Sequence, residues 1–243
     1  METVCTAGIT EDGRWVRLYP LPYLQLPKAK RFAKYQWIEA DVRPHGSSNR
    51  DKRPESHNID VATIQLKDKV DTKNFWQERK ELILPLKRSS MEEIQAEYDQ
   101  RKTSLAIFKP AEVTKLTIEA GDPDWTPKQK AKMAQTTIFG KAPMQLEKMP
   151  YTFYYHFRCN NESCRGHKMS IIDWELEELY RKAQNKFGKY AMDSILNYVK
   201  VNFFDKYWSP GYDSYLIVGS RFPYASFMVL GVFYPQKPNP KPH

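Results

Sequence analysis

Phe157 to Glu175 reads FRCNNESCRGHKMSIIDWE and concentrates the residue types most able to do chemistry. Cys159, Cys164 and His167 follow the pattern C-x4-C-x2-H, so one loop can bring all three to a single ion. A tetrahedral zinc site asks for four donors, commonly supplied as closely spaced pairs on a turn. Asn160, Asn161 and Gly166 suit that turn because they tolerate the backbone conformations it needs. The spacing therefore names zinc as the expected cofactor and identifies three ligands. The fourth is open among His156, Cys5 and His57, with water in that place if the site is catalytic. Alternation along a strand would turn His156 away from Cys159. The bland alternative is two ordinary thiols and a surface histidine with no metal.

Asp173 and Glu175 follow close behind, and with His167 they could hold a divalent ion or supply a general base. That constellation would make a metal-dependent nuclease or phosphodiesterase. A simpler account covers the same carboxylates. Asp173 stands where an N-cap belongs, and Glu175, Glu177 and Glu178 fall in the first turns of a helix, where acids complement the dipole. No catalytic residue is assigned on this account.

A second group mixes aromatics with cations. In RWVRLYP, alternation places Trp15, Arg17 and Tyr19 on one strand face, and Trp37 occupies the matching face of a later strand. Small barrels stack unpaired bases on such a face. Lys28, Lys30, Arg31 and Lys34, interleaved with Phe32 and Tyr35, would add phosphate contacts. Arg53 and Arg221 lie in Pro-, Gly- and Ser-rich loops and are further anion contacts. The competing structural reading makes the aromatics a second core layer and pairs Arg17 with Glu39 or Asp41.

The whole chain sets bounds on these sites. Its 243 residues carry a net charge of +9, which favours a polyanionic partner, DNA or RNA. The longest nearly apolar run, FMVLGVFY, is far shorter than the roughly 20 residues that span a bilayer. No membrane partner is expected. Three cysteines and no secretory pattern point to a reducing cytoplasm. Phosphate-loop, dinucleotide and serine-hydrolase motifs are absent. Oligomeric state is not legible.

The elements that must position the residues form an α+β chain. Residues 1–70 read as a β-rich, barrel-like region: strands 3–9 and 14–20 flank the turn Glu11-Asp12-Gly13, with further strands at 36–43 and 58–66. Residues 71–150 are mixed, with helices at 72–82 and after Ser90, strands at 104–108 and 112–120, and a helix from Thr126-Pro127 leading into a basic loop with Lys128, Lys130, Lys132 and Lys141. Residues 151–235 run from the strand YTFYYHF through the Cys/His segment to two helices broken at Gly188 and two closing strands. The tail 236–243 is proline-rich and is expected to be disordered.

Cys5-Thr6-Ala7-Gly8-Ile9 followed by Gly13-x-Trp15-x-Arg17 resembles the opening of prokaryotic proteins with a dual OB-fold domain. The likeness covers about the first 20 residues and departs at Leu18-Tyr19-Pro20. It implies small OB-like barrel elements and nucleic-acid or nucleotide recognition, in a defence or mobile-element setting. The remainder looks like an uncharacterised bacterial family. The expectation is an α+β protein with OB-like β-barrel elements, helical insertions and a zinc-supported C-terminal α/β part. It would bind nucleic acid; the alternatives are the metal-dependent nuclease and a nucleotide-sensing regulatory subunit.

Overall fold

The computed structural model describes residues 4–45, 51–122, 124, 126–127 and 148–238. Strands β1 (Val4–Ile9) and β2 (Trp15–Leu21) pair antiparallel across the expected turn, where Gly13 takes φ +75°. The segment expected as one strand over 36–43 is two: β3 (Gln36–Glu39) and β4 (Val42–Pro44). β3 pairs with β6 (Gln65–Lys69), whereas β4 pairs with β5 (Ser56–Ile59), and β5 runs parallel to β2. The resulting sheets, β1-β2-β5-β4 and β3-β6, do not close into a barrel. Four sequential strands would have to join edge to edge for closure. Here the chain diverts between Glu39 and Val42 and divides its strands between two sheets.

The rest is organised by one seven-stranded mixed sheet in the order β7-β8-β12-β13-β11-β10-β9. Its members are β7 (Lys87–Arg88), β8 (Leu105–Phe108), β9 (Glu112–Ala120), β10 (Tyr151–Arg158), β11 (His167–Ile171), β12 (Tyr215–Ser220) and β13 (Phe227–Phe233). The sheet draws on both the 71–150 and 151–235 regions, so these are not separate units. Beyond Thr126 and Pro127, the expected helix and its lysine-rich loop lie outside the described residues.

Alternation decides which side chains enter the core. In β10, Phe153, Tyr155 and Phe157 are buried, and Ala106 and Phe108 of β8 share their face. Helices α2 (Met91–Arg101), α3 (Trp174–Phe187) and α4 (Met192–Lys200) cover it. Helix α3 buries Leu176, Tyr180 and Ala183, one stripe at helical spacing. Asp173 caps it through the Glu175 N–H, and Gly188, at φ +88°, ends it. On the opposite face, Ile107, Tyr215 and Phe233 pack against Ile9, Trp15, Tyr35 and Trp76 from the first third of the chain and α1 (Lys73–Ile83). Trp15 is therefore a core-layer residue. Among the described residues no helix is long and apolar enough to cross a membrane.

Candidate metal centre

Register brings the candidate metal-ligating side chains together. Phe157 of β10 sits opposite His167 of β11, and the two rings stack with centroids 5.0 Å apart. Cys159 lies two residues beyond Phe157 and continues on the same face, where α2 packs. The chain then turns through Asn161, whose carbonyl accepts from the Cys164 N–H, and through Gly166 at φ +91°, before entering β11 at His167. The left-handed conformation at Gly166 is one that a side chain would strain.

Helix α2 brings a fourth side chain that could serve as a donor. Its N-cap is Ser90, whose hydroxyl accepts from the Glu93 N–H, and its first turn points at the cysteines. The Met91 N–H donates to Cys159 Sγ at 3.3 Å, and the Cys159 N–H donates to Cys164 Sγ at 3.2 Å. Glu92 Oε1 lies 3.3 Å from His167 Nε2, which stands 3.4 Å from Cys159 Sγ and 3.3 Å from Cys164 Sγ. All four donor atoms of Glu92, Cys159, Cys164 and His167 fall within 4.8 Å of one another. This cluster can hold a metal ion.

The geometry can be tested against zinc. Bonds of about 2.3 Å to sulfur and about 2.0–2.1 Å to nitrogen or oxygen at tetrahedral angles put S···N edges near 3.5 Å and N···O edges near 3.4 Å. The observed 3.3–3.4 Å separations match within about 0.2 Å. Burial pushes the Cys159 thiol up to about 12. A cation held among these donors would supply the attraction that draws its proton off, aided by the Met91 N–H and the positive end of α2. Burial also opposes the charge on Glu92. Hydrogen bonds from its own N–H and Ser90, and the His167 ring, outweigh this and hold it below the ordinary glutamate range. Its second oxygen is buried without a hydrogen-bond partner among the described residues.

The three earlier candidates for the fourth position are elsewhere. His156 faces away, as alternation requires, and its Nε2 lies 2.8 Å from Thr117 Oγ1. Cys5 on β1 accepts from Arg17 Nη1 at 3.0 Å, and His57 on β5 has Nδ1 2.9 Å from the Glu55 carbonyl. Glu92 escaped sequence reading because an acid in the first turn of a helix already has an explanation in the dipole.

Asp173, Glu175 and His167 do not form one centre. His167 begins β11 and Asp173 follows its other end, roughly 20 Å away at about 3.3 Å per residue. Asp173 is 4% exposed, with Oδ1 occupied by the Glu175 N–H at 2.8 Å and Oδ2 without a hydrogen-bond partner among the described residues. Burial raises its carboxyl to about 6, against the opposing pull of Lys34. Lys34, expected to meet phosphate, donates to Glu175 Oε2 at 2.6 Å and is held protonated, since Tyr35, Asp173 and Glu175 outweigh its burial.

Several expected nucleic-acid contacts are structural. Arg17 is 3% exposed and donates to Cys5 Sγ, to the Ser104 carbonyl and to Ser104 Oγ. Its partner is neither Glu39 nor Asp41: buried Glu55 accepts from the N–H and hydroxyl of that same Ser104. Arg53 forks onto Asp51 at 2.8 and 2.6 Å and donates to the Ser220 carbonyl. Lys30 and Arg31 donate to loop carbonyls, and Trp37 is half-buried on β3. Lys28 and Arg221 are exposed.

A family described as a domain of unknown function (DUF8757) matches residues 87–243, and a second, domain of unknown function (DUF8758), matches residues 1–85. Their border falls just before β7, where the seven-stranded sheet begins. No curated protein and no solved structure matches the chain.

Proposed function

The chain belongs to the family described as domain of unknown function (DUF8757), and for it we propose a nucleic-acid-binding role in which a structural zinc centre fastens α2 to the β10–β11 loop. The observation that carries the reading is the charge. A surplus of nine positive charges cannot be buried, so it lies on the surface and attracts a polyanion. The strand face of Trp15 and Arg17 is not proposed as the recognition surface, since Arg17 is buried and Trp15 is partly buried against the core. Phosphate contact falls to exposed cations such as Lys28 and Arg221, with Arg31 partly engaged.

Zinc is the ion of choice because two thiolates and an imidazole are soft and borderline donors. With Glu92 as fourth donor the coordination is closed, which makes the centre architectural. Zinc would supply cross-linking energy there, and the four side chains would lose their freedom independently of any substrate. The nuclease alternative has no support in the geometry, because His167 stands apart from Asp173 and Glu175.

Fluorescence anisotropy with single- and double-stranded DNA and RNA, across a salt series, tests the proposal. Each neutralised phosphate contributes a slope of about −0.7 for single strands, or about −0.9 for duplex, to log K against log salt. Several such contacts should give a slope steeper than about −2. A protein that binds none of the four nucleic acids, or binds with no salt dependence, is not what we propose.

A further inference from the structure

Helix α1 begins abnormally. Asn74, Phe75 and Trp76 take φ 46°, 56° and 65°, three successive residues in the left-handed region. Single non-glycine residues visit that region occasionally, but a run of three is disfavoured at every step and must be held by its surroundings. Trp76 shows what holds it: its ring packs against Tyr35, Phe233 and Tyr234 at 5.8, 5.4 and 5.0 Å, with the Arg79 guanidinium 4.7 Å away. The adjacent Phe75 is thrown outward. It is 44% exposed and its ring meets no other aromatic ring among the described residues.

Phe75 and Trp76 form one side of a groove of about 570 Å³, within the roughly 300–1,000 Å³ range of small-molecule sites. Tyr212 and Tyr234 line it too, together with Lys206 and Gln236. The backbone bridge between Tyr212 and Gln236 fixes that wall. Tyr234 is braced by stacking on Tyr207 at 3.9 Å. No aspartate or glutamate lines the groove, and among the described residues no carboxylate pairs with the exposed Lys206 ammonium.

We propose that this groove holds one unpaired nucleobase, stacked against Phe75 and the Trp76–Tyr234 wall, with its phosphate on Lys206. Aromatic faces suit the base, the Asn74 and Gln236 amides can both donate to and accept from its edge, and the lone cation suits the phosphate. An acidic peptide would find a single charge and too much aromatic surface. The strained run has a purpose in this setting: it turns Phe75 out to form a lip that a regular helical start would fold away. The inference deepens the nucleic-acid reading and rests on it for the identity of the strand. The base could equally arrive on a free nucleotide, so the test has an arm for each.

Anisotropy with labelled single-stranded DNA and RNA oligonucleotides, and calorimetry with ATP and UTP, are run on the full chain, Phe75→Ala and Lys206→Gln. Both positions are exposed, and circular dichroism establishes that each variant is folded. Phe75→Ala should weaken binding about tenfold, the effect of losing one stacked base, with an unchanged salt slope. Lys206→Gln should instead flatten the slope by about 0.7. If the wild type binds strands and both variants match it, the groove is overturned while nucleic-acid binding stands. Binding of free nucleotides alone, weakened by Phe75→Ala, upholds the groove and overturns strand binding. Binding of neither ligand overturns both.

Discussion

Glu92 Oε1 of helix α2 and His167 Nε2 of strand β11 lie 3.3 Å apart, with the thiols of Cys159 and Cys164 beside them. The contact joins two elements that no local sequence pattern connects. It places a carboxylate beside the Cys/His loop, and under the proposed reading an ion held by these four side chains would tie the start of α2 to the hairpin between β10 and β11.

That tie has a thermodynamic signature. A structural ion bound at a thousandfold over its dissociation constant stabilises by about 4 kcal/mol. At about 2–4 °C per kcal/mol for a chain of this size, a strong chelator should lower the melting temperature by about 8–16 °C. Cys164→Ser should reproduce that drop without chelator. A melting curve indifferent to both treatments would remove the centre from the account.

Arg17 supplies a second prediction. It bridges β1, β2 and the start of β8 from a buried position, while Glu55 reaches the same Ser104 from the other side. Arg17→Ala removes the buried donor to Cys5 Sγ and to the Ser104 carbonyl and hydroxyl, a loss that typically costs about 1–3 kcal/mol. Urea denaturation should show an unfolding free energy lower by that amount. A loss below about 1 kcal/mol would mean that the network does not hold the two sheets together.

Asp173 makes stability depend on pH in a defined direction. Its carboxyl is raised from 3.8 to about 6 by burial, with Glu175 and Glu177 adding to the rise and Lys34 opposing it. The folded state therefore holds its proton more tightly than the unfolded chain does. Stability from this group is highest below pH 4, falls as pH rises from about 4 to about 6, and stays reduced above that. Asp173→Asn keeps a side-chain oxygen for the Glu175 N–H but removes the charge. The variant should gain on the wild type between pH 4 and pH 7, by up to about 3 kcal/mol. Parallel denaturation curves at the two pH values check this. A constant difference between the proteins would contradict the raised carboxyl.

Local punctuation was legible in the sequence. The Gly13 turn, the caps at Ser90 and Asp173, the break at Gly188 and the closing hairpin β12–β13 all sit where turn and capping chemistry put them. The pairing of distant segments was not. Nothing in β7 or β11 announces that they pair parallel to β8 and β13. A face of Trp15 and Arg17 reads identically whether it meets nucleic acid or the interior. The barrel failed for the same reason, because two residues of diverted chain between β3 and β4 decide whether strands share a sheet. Three members of the candidate metal cluster were suggested by spacing within one loop, while Glu92 came from a helix whose approach depends on the packing of the whole sheet.

X-ray absorption at the zinc edge of the purified protein tests the central claim most directly. The account predicts one zinc per chain with two sulfurs at about 2.3 Å and two nitrogen or oxygen neighbours at about 2.0–2.1 Å, and with one light neighbour lost or lengthened in Glu92→Ala. A metal-free protein, or a zinc whose shell is unchanged when Glu92 is removed, would contradict it.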